Sequence, residues 1–426
     1  MNKENIRQTI LGVLTLFSVY IYATVELPVN SKLIVKKIAL LDTDLEEKRT
    51  LFYINKLRKE AGLIPLTINS KLKSAAKNHA NYLMLHHQIG HYEDENQSGY
   101  TGMYGSNRSV AMGYETPMVI ENVSSFNYSY KESIDGLMGA IYHRFAFLDF
   151  YTDEIGIGVA QNLQNRAETA FVYDMGSSKL VSLCKEVKNR EMMKPLKNIC
   201  ADSKRSVSKD EFLDALYAHK YQNSDVVLYP YDGQQDVPPV FYEELPDPLP
   251  NHSVSGFPIS MNFNETRFKS IKMLSFQLFK ESGDEITDAI FYTQKTDPNK
   301  KLKKYEFAFF PLKRLEWDSL YNVRVAYEAD GMIKRKEWSF RTRSFDTPIY
   351  IVTQSQNHYS IKKDESVIFY FPPLSNNDTL GDLKFPSILD ISFIDKNSIK
   401  LRAKEAVNDT LVLSFGKHKL YLNIKP

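Results

Sequence analysis

Three side chains could do chemistry together: His91, Glu121 and His143. Neutral imidazole nitrogens and carboxylate oxygens suit a borderline divalent cation such as zinc, and three protein ligands would leave one position open for water. A zinc-bound water has its pKa lowered towards about 7, so Glu121 could then serve as the base of a hydrolase. The same residue types allow two other outcomes. Glu121 could hold backbone N–H groups while the two histidines complete a buried polar network, or the cluster could line a cleft that binds a ligand without changing it. Asn122 and Arg144, the chain neighbours of Glu121 and His143, would then belong to its walls.

Other candidates carry less. His87 and His91 have a zinc-like helical spacing, but no Glu-containing metalloprotease motif surrounds them and Gly90 is expected to end the helix first. His79 falls on an apolar helical face, where a core histidine with satisfied nitrogens is expected. No Gly-x-Ser-x-Gly elbow, phosphate-cradling loop or dinucleotide fingerprint occurs. Cys184 and Cys200 are the only cysteines. In an oxidising compartment this even count is expected to form a disulfide between the end of the first domain and the bridge after it.

The elements that must position these residues are read from hydrophobic period and capping signals. Asp44 to Gly62 reads as a helix, with Leu51, Ile54, Leu57 and Ala61 on one face and Gly62 at its end. A second helix starts near Ser70 and buries Leu72, Ala75, Ala76, His79, Ala80 and Leu83. A third starts at Ser129, where Ser129 and Glu132 have capping-box spacing, and carries Ile134, Leu137, Met138 and Ile141 as one stripe. Residues 155–159 and 170–174 read as strands. A charged bridge spans Lys185 to Arg205, and a short helix Phe212–Lys220 comes after the capping pair Ser208 and Glu211. Prolines 230, 238, 239, 246, 248 and 250 mark an extended connector. Beyond it, alternation at Tyr321, Val323, Val325 and Tyr327, a turn at Asp330-Gly331, and Trp338 and Phe340 predict a β-hairpin within a sandwich at 252–345. Residues 347–426 read as a further β-rich domain.

With 426 residues, several domains are expected. A formal net charge of +2 gives no electrostatic case for a nucleic-acid partner or an anionic membrane surface. Lys3 and Arg7 precede an uncharged apolar run from Thr9 to Ala23, short for a membrane span but suited to a secretory signal. Residues 1–23 are therefore expected to be a signal peptide, leaving no stable membrane span after cleavage. The alternative is an uncleaved signal anchor.

An ordered series of short motifs carries a resemblance across residues 45–180. It runs through Asn55, Arg58, Gly62-Leu63, Pro65-Leu66, Leu72, Ala75-Ala76, Ala80, Gly90-His91, Arg108, Gly113-Tyr114, Glu121-Asn122, His143-Arg144 and Ile155-Gly-Ile-Gly-Val159. This region resembles bacterial members of the CAP superfamily, which includes cysteine-rich secretory proteins, antigen 5 and class-one pathogenesis-related proteins. The resemblance implies an α-β-α three-layer sandwich. The whole chain would then be α+β, with the CAP domain followed by a helical bridge and Pro-rich connector (181–251), an Ig-like β-sandwich and a small C-terminal β-domain. Trp338-Ser-Phe340-Arg-Thr342 looks like the closing strand of a bacterial Ig-like domain, and the connector is similar to segments found after CAP domains in some exported bacterial proteins. In animal and plant relatives a cleft gathers two His and two Glu. His91, Glu121 and His143 match three of them. The second Glu normally lies shortly before the last His, after a Trp, and Leu137–Tyr142 holds neither. The expectation is an exported, extracellular, cell-surface or periplasmic protein that binds a lipid, glycan or protein without enzymatic action. It requires no cofactor, and at most binds zinc weakly through His91 and His143. The alternative is the metal-assisted hydrolase.

Overall fold

The structure, a computed structural model, describes residues 25–26, 33–34, 39–186, 196–380 and 385–426. The expected signal segment 1–23 and residues 187–195 of the charged bridge lie outside the described residues. The chain divides into two units. One runs from Lys37 to Ser344, and the other takes Phe345–Pro426 together with the N-terminal residues up to Lys36.

The first unit begins with α1, Thr43–Glu60, whose N-cap is Asp42: the Asp42 carboxylate accepts from the Leu45 N–H. Ala61 closes it and Gly62 turns the chain with φ of 85°. Two motif residues of this helix anchor other segments to it. Asn55 exchanges two hydrogen bonds with the backbone of Leu66. The fully buried Arg58 donates to the carbonyls of Ile64, Phe147, Asp149 and Thr152. Next come α2, Ser70–His86, capped by Asn69, and a short α3, Gly105–Ala111. The expected third helix is two. α4, Tyr130–Gly139, starts at the Ser129 cap, and extended backbone at Ala140 separates it from α5, Ile141–Phe147. Ile141 thus opens a new helix instead of ending a stripe.

Four strands form the sheet between these helices, in the order Thr67–Ile68, Glu154–Gln161, Thr169–Gly176, Ile120–Ser125. Alternation along the strands builds two apolar layers. Ile155, Ile157, Val159, Phe171 and Tyr173 face a core shared with Ile54 and Leu57 of α1 and Leu137 and Met138 of α4. Val123, Ala170 and Val172 face Ala76, Ala80 and Leu83 of α2. The result is an α-β-α arrangement. α6, Ser178–Glu186, and α7, Lys209–Ala218, come next, the latter with the Ser208–Glu211 capping box. Cys184 and Cys200 are joined as a disulfide, Cα atoms 5.3 Å apart.

Together with a two-stranded pair of Val240–Phe241 and Ser255–Gly256, two further four-stranded sheets lie in this unit. One has the order Ala289–Tyr292, Glu306–Pro311, Ile259–Phe263, Val226–Tyr229; the other Ile271–Lys280, Leu320–Ala329, Met332–Thr342, Gln234–Val237. Two of these strands, at 226–229 and 234–237, come from the stretch read in sequence as connector, so sheet pairing begins before residue 252. Asp330 and Gly331 both have positive φ, 50° and 83°, forming the two-residue hairpin turn. Met261, Phe263, Phe307, Val323, Val325, Trp338 and Phe340 belong to the same continuous core as Ile54 and Leu57. The two segments read as separate domains are thus packed on one another.

The second unit has its own core, centred on Val367, Phe369, Leu401, Leu413, Leu420 and Leu422, and two four-stranded sheets. One of them includes the short strand Val25–Glu26 paired with Leu411–Phe415. Among the described residues no helix is long and apolar enough to cross a membrane.

Candidate functional site

Ile120–Ser125 is the edge strand of the α-β-α sheet, so consecutive side chains leave opposite faces. Glu121 enters the layer of α2 and α3. Asn122 enters the layer of α5, where its amide donates to the His143 carbonyl at 2.9 Å. The Glu-Asn dipeptide thus reaches both helical layers at the sheet's open edge, and the two histidines meet there. Their rings lie 6.4 Å apart between centroids and 14° from parallel.

His91 sits in the loop after α2. The helix ends earlier than Gly90: His87 is its left-handed cap, with φ of 53°. The helical spacing of His87 and His91 is thus broken before Gly90, in line with the sequence reading that set this pair aside, and His87 bonds Glu168. His91 Nδ1 lies 2.9 Å from Glu121 Oε1. The other carboxylate oxygen accepts from Arg108 Nη2, and Arg108 Nη1 also donates to the carbonyls of His91, Gly102 and Met103. Arg108, fully buried, thus fixes both the loop and its carboxylate. Gly105 allows a close approach: a Cβ there would lie 2.9 Å from Glu121 Oε2. His79 is a buried core histidine, bonded to Glu93 and the Gly90 carbonyl.

His143 is the third residue of α5, and its Nδ1 lies 3.0 Å from Glu244 Oε2. Glu244 comes from the connector, 101 residues further along the chain. It gives His143 a carboxylate partner that the stretch just before His143 in the chain does not supply. No spacing rule could have found it, because tertiary packing alone brings it to α5. Arg144 points the other way, fully buried. It donates to the carbonyls of Met138 and Pro258 and to Ser260 Oγ, with its guanidinium 4.9 Å from the ring centroids of Tyr229 and Phe257. Arg144 therefore joins the α-β-α layers to the sandwich and does not line the cleft.

The electrostatics are set by burial and partners. Burial alone would raise the Glu121 carboxyl, but the His91 hydrogen bond and the Arg108 charge outweigh it and hold it down at about 2. Glu244 is shifted upwards by burial, partly offset by its bonds to His143 and to the Ile141 and Tyr142 N–H groups. Asp174 lies directly across the ladder from Glu121, fully buried, where a protonated Asp174 can hydrogen-bond the Glu121 carboxylate. Burial, then the Glu121 charge, hold it well above the usual carboxylate range.

With a carboxylate at each Nδ1, both imidazoles are set to carry the proton there, which leaves Nε2 as the free acceptor. His91 is 40% exposed and His143 15%. Neither Nε2 has a hydrogen-bond partner among the described residues. Two Nε2 donors fit a cation that completes its shell with water; a hydrolytic zinc centre uses three protein ligands. Among the described residues no group of three or more His, Cys, Asp or Glu is arranged to hold a metal. Glu121, expected as a metal-side base, is engaged on both oxygens by His91 and Arg108.

Comparison with known proteins adds a family. Residues 51–175 match the cysteine-rich secretory protein family, CAP. No curated protein matches the chain. Similar solved structures include an outer surface protein from Borrelia burgdorferi, 21% identical with a TM-score of 0.28, covering 35% of this chain and 98% of that one. An extracellular protein containing an SCP domain from Bacillus anthracis is 13% identical with a TM-score of 0.28, covering 32% and 41%. A cysteine-rich secretory protein from Staphylococcus aureus is 19% identical with a TM-score of 0.24, covering 33% and 42%. The chain spans about two fifths of the length of these last two. Residues 51–175, which hold the α-β-α layers, His91 and His143, are a CAP domain.

Proposed function

We propose that this chain is an exported binding protein that holds a ligand in the His91–His143 cleft without catalysing its conversion, with an Ig-like sandwich presenting the CAP domain. One observation carries the reading. Both carboxylates sit behind the imidazoles and are committed to Nδ1, so neither faces the cleft as a general acid or base. What is left without a partner among the described residues is a pair of Nε2 atoms, which supports the reading of a site that accepts from a ligand. The packing of α5 on the sandwich through Arg144 supports a role for the sandwich in presentation. Native mass spectrometry of the exported chain, wild type against His143→Ala, tests this. A ligand adduct carried by the wild type and lost in the variant is the expected result. Identical spectra would remove the cleft as the binding site.

A second reading is favoured by the carboxylate–imidazole pairing itself, the usual support for a metal-ligating histidine: a divalent cation bound loosely by His91 and His143, its remaining positions filled by water. Such a cation would act as a Lewis acid. The chain's own part is to fix both tautomers through Glu121 and Glu244. Metal content of the purified protein equilibrated with micromolar zinc, before and after His91→Ala, decides it. No metal in the wild type ends this reading.

A further inference from the structure

The CAP domain does not build its cleft alone. We propose that Glu244 is a positioning residue of this cleft, supplied by the connector, and that it couples what binds at His91 and His143 to the seating of the connector on the CAP domain. The proposal deepens the binding function above and rests on it for the identity of the site, though not for the geometry.

α5 lacks a side-chain cap of its own. Its N-cap residue is Ala140, which has no side chain to cap the helix, so the first N–H groups need partners from elsewhere. Glu244 provides them: Oε1 accepts from the Ile141 N–H at 2.6 Å and Oε2 from the Tyr142 N–H at 3.2 Å. The same Oε2 lies 3.0 Å from His143 Nδ1. One carboxylate, its side chain 1% exposed, therefore both caps the helix and holds the imidazole on its first turn. Across the cleft Glu121 does the equivalent for His91, its side chain 8% exposed. Both imidazoles are buttressed in the same way, one from within the CAP domain and one from outside it.

Glu244 is itself held by residues on either side. Phe241 and Leu249 pack in one buried cluster with Ile141 and Phe145 of α5. Asn299 donates to the Asp247 carbonyl at 2.8 Å and to Tyr142 Oη at 3.1 Å. Any movement of the connector off α5 takes the carboxylate away from His143. That exposes the helix terminus and frees the ring to change tautomer. A ligand that needs the His143 Nε2 lone pair therefore favours the seated connector, and by linkage the seated connector favours the ligand by the same factor.

Imidazole 15N NMR on the full mature chain tests the positioning claim. In the wild type both His91 and His143 are expected as Nδ1–H tautomers. Glu244→Ala is expected to convert His143 to a tautomer mixture and leave His91 unchanged, whereas Glu121→Gln perturbs His91 and spares His143. Glu244→Gln, whose amide oxygen can still accept the Nδ1–H, is expected to retain most of the wild-type signal. Zinc alone, titrated as the probe, is expected to bind Glu244→Ala at least tenfold more weakly than wild type. Hydrogen exchange measures the coupling without a ligand: His143→Ala should raise exchange at residues 240–250. An unchanged His143 tautomer in folded Glu244→Ala, or unchanged exchange across 240–250 in His143→Ala, would overturn the proposal. If the wild type binds no zinc, the cation reading fails, while the tautomer and exchange results still decide the role of Glu244.

Discussion

Gly156→Ala is the substitution whose cost can be worked most directly from packing. A Cβ at Gly156 would lie 2.0 Å from the Leu72 carbonyl carbon, 2.2 Å from the Lys73 nitrogen and 2.3 Å from the Leu72 oxygen, all backbone atoms of α2. No side-chain rotation relieves this, so the helix must lift by roughly 1.4 Å to reach ordinary contact. A gap of about 1 Å already forfeits about half of a dispersion well. The residues lifted are Leu72, Ala75, Ala76, Ala80 and Leu83, each 0% exposed, so the loss is shared by the whole α2 face. An overpacked core position typically costs about 1–3 kcal/mol. A displaced helix backbone belongs in the exceptional class, so roughly 4–5 kcal/mol is expected. Urea unfolding followed by far-ultraviolet circular dichroism measures it. Gly136→Ala is the control: it lies inside α4 with nothing within 4 Å of its Cβ, and should gain about 0.5–1 kcal/mol from helix propensity. If Gly156→Ala came within about 1 kcal/mol of wild type, the account of why glycine stands in Ile155-Gly-Ile-Gly-Val159 would be refuted.

Four further outcomes are expected. The Cys184–Cys200 bond closes a separation of 16 residues, so replacing both cysteines by Ala should lower stability by about 3 kcal/mol, whereas free thiols titrating in the native exported protein would contradict the pairing. Glu121, held at about 2 against about 4.3 when unfolded, contributes stability that is present above pH 4–5 and lost as pH falls towards 2. Glu121→Gln should therefore flatten the acid limb of a stability–pH curve. Asp174 has the opposite sign: its raised value means stability falls as pH rises above the ordinary Asp range, and Asp174→Asn should remove that slope. N-terminal sequencing of the exported protein should begin at Thr24, whereas a start at Met1 with membrane retention would favour an anchor.

What the sequence made legible was what local rules govern. The Ser129 and Ser208 caps, the α2 apolar face and the Asp330-Gly331 turn arise from capping chemistry, helical period and positive φ. The break at Ala140 was hidden because Ile141 continues the spacing of Ile134, Leu137 and Met138; only the packing of α5 on the sandwich separates the two helices. Strands at 226–229 and 234–237 lay concealed in a proline-rich stretch because their pairing partners are distant in the chain. The site divides in the same way. His91, Glu121 and His143 could be named from ordered motifs, while Glu244 and Asp174 enter through tertiary contacts that no short motif encodes.

The central claim is that the cleft binds and does not turn over its ligand. The most direct test is to incubate purified residues 24–426 with peptide, ester and glycoside substrates, with and without added zinc, and compare wild type with His143→Ala. No hydrolysis above background that depends on His143 is expected, with neither Glu121 nor Glu244 left free to activate a water directly. Turnover by the wild type that disappears in His143→Ala, with the variant still folded, would contradict it.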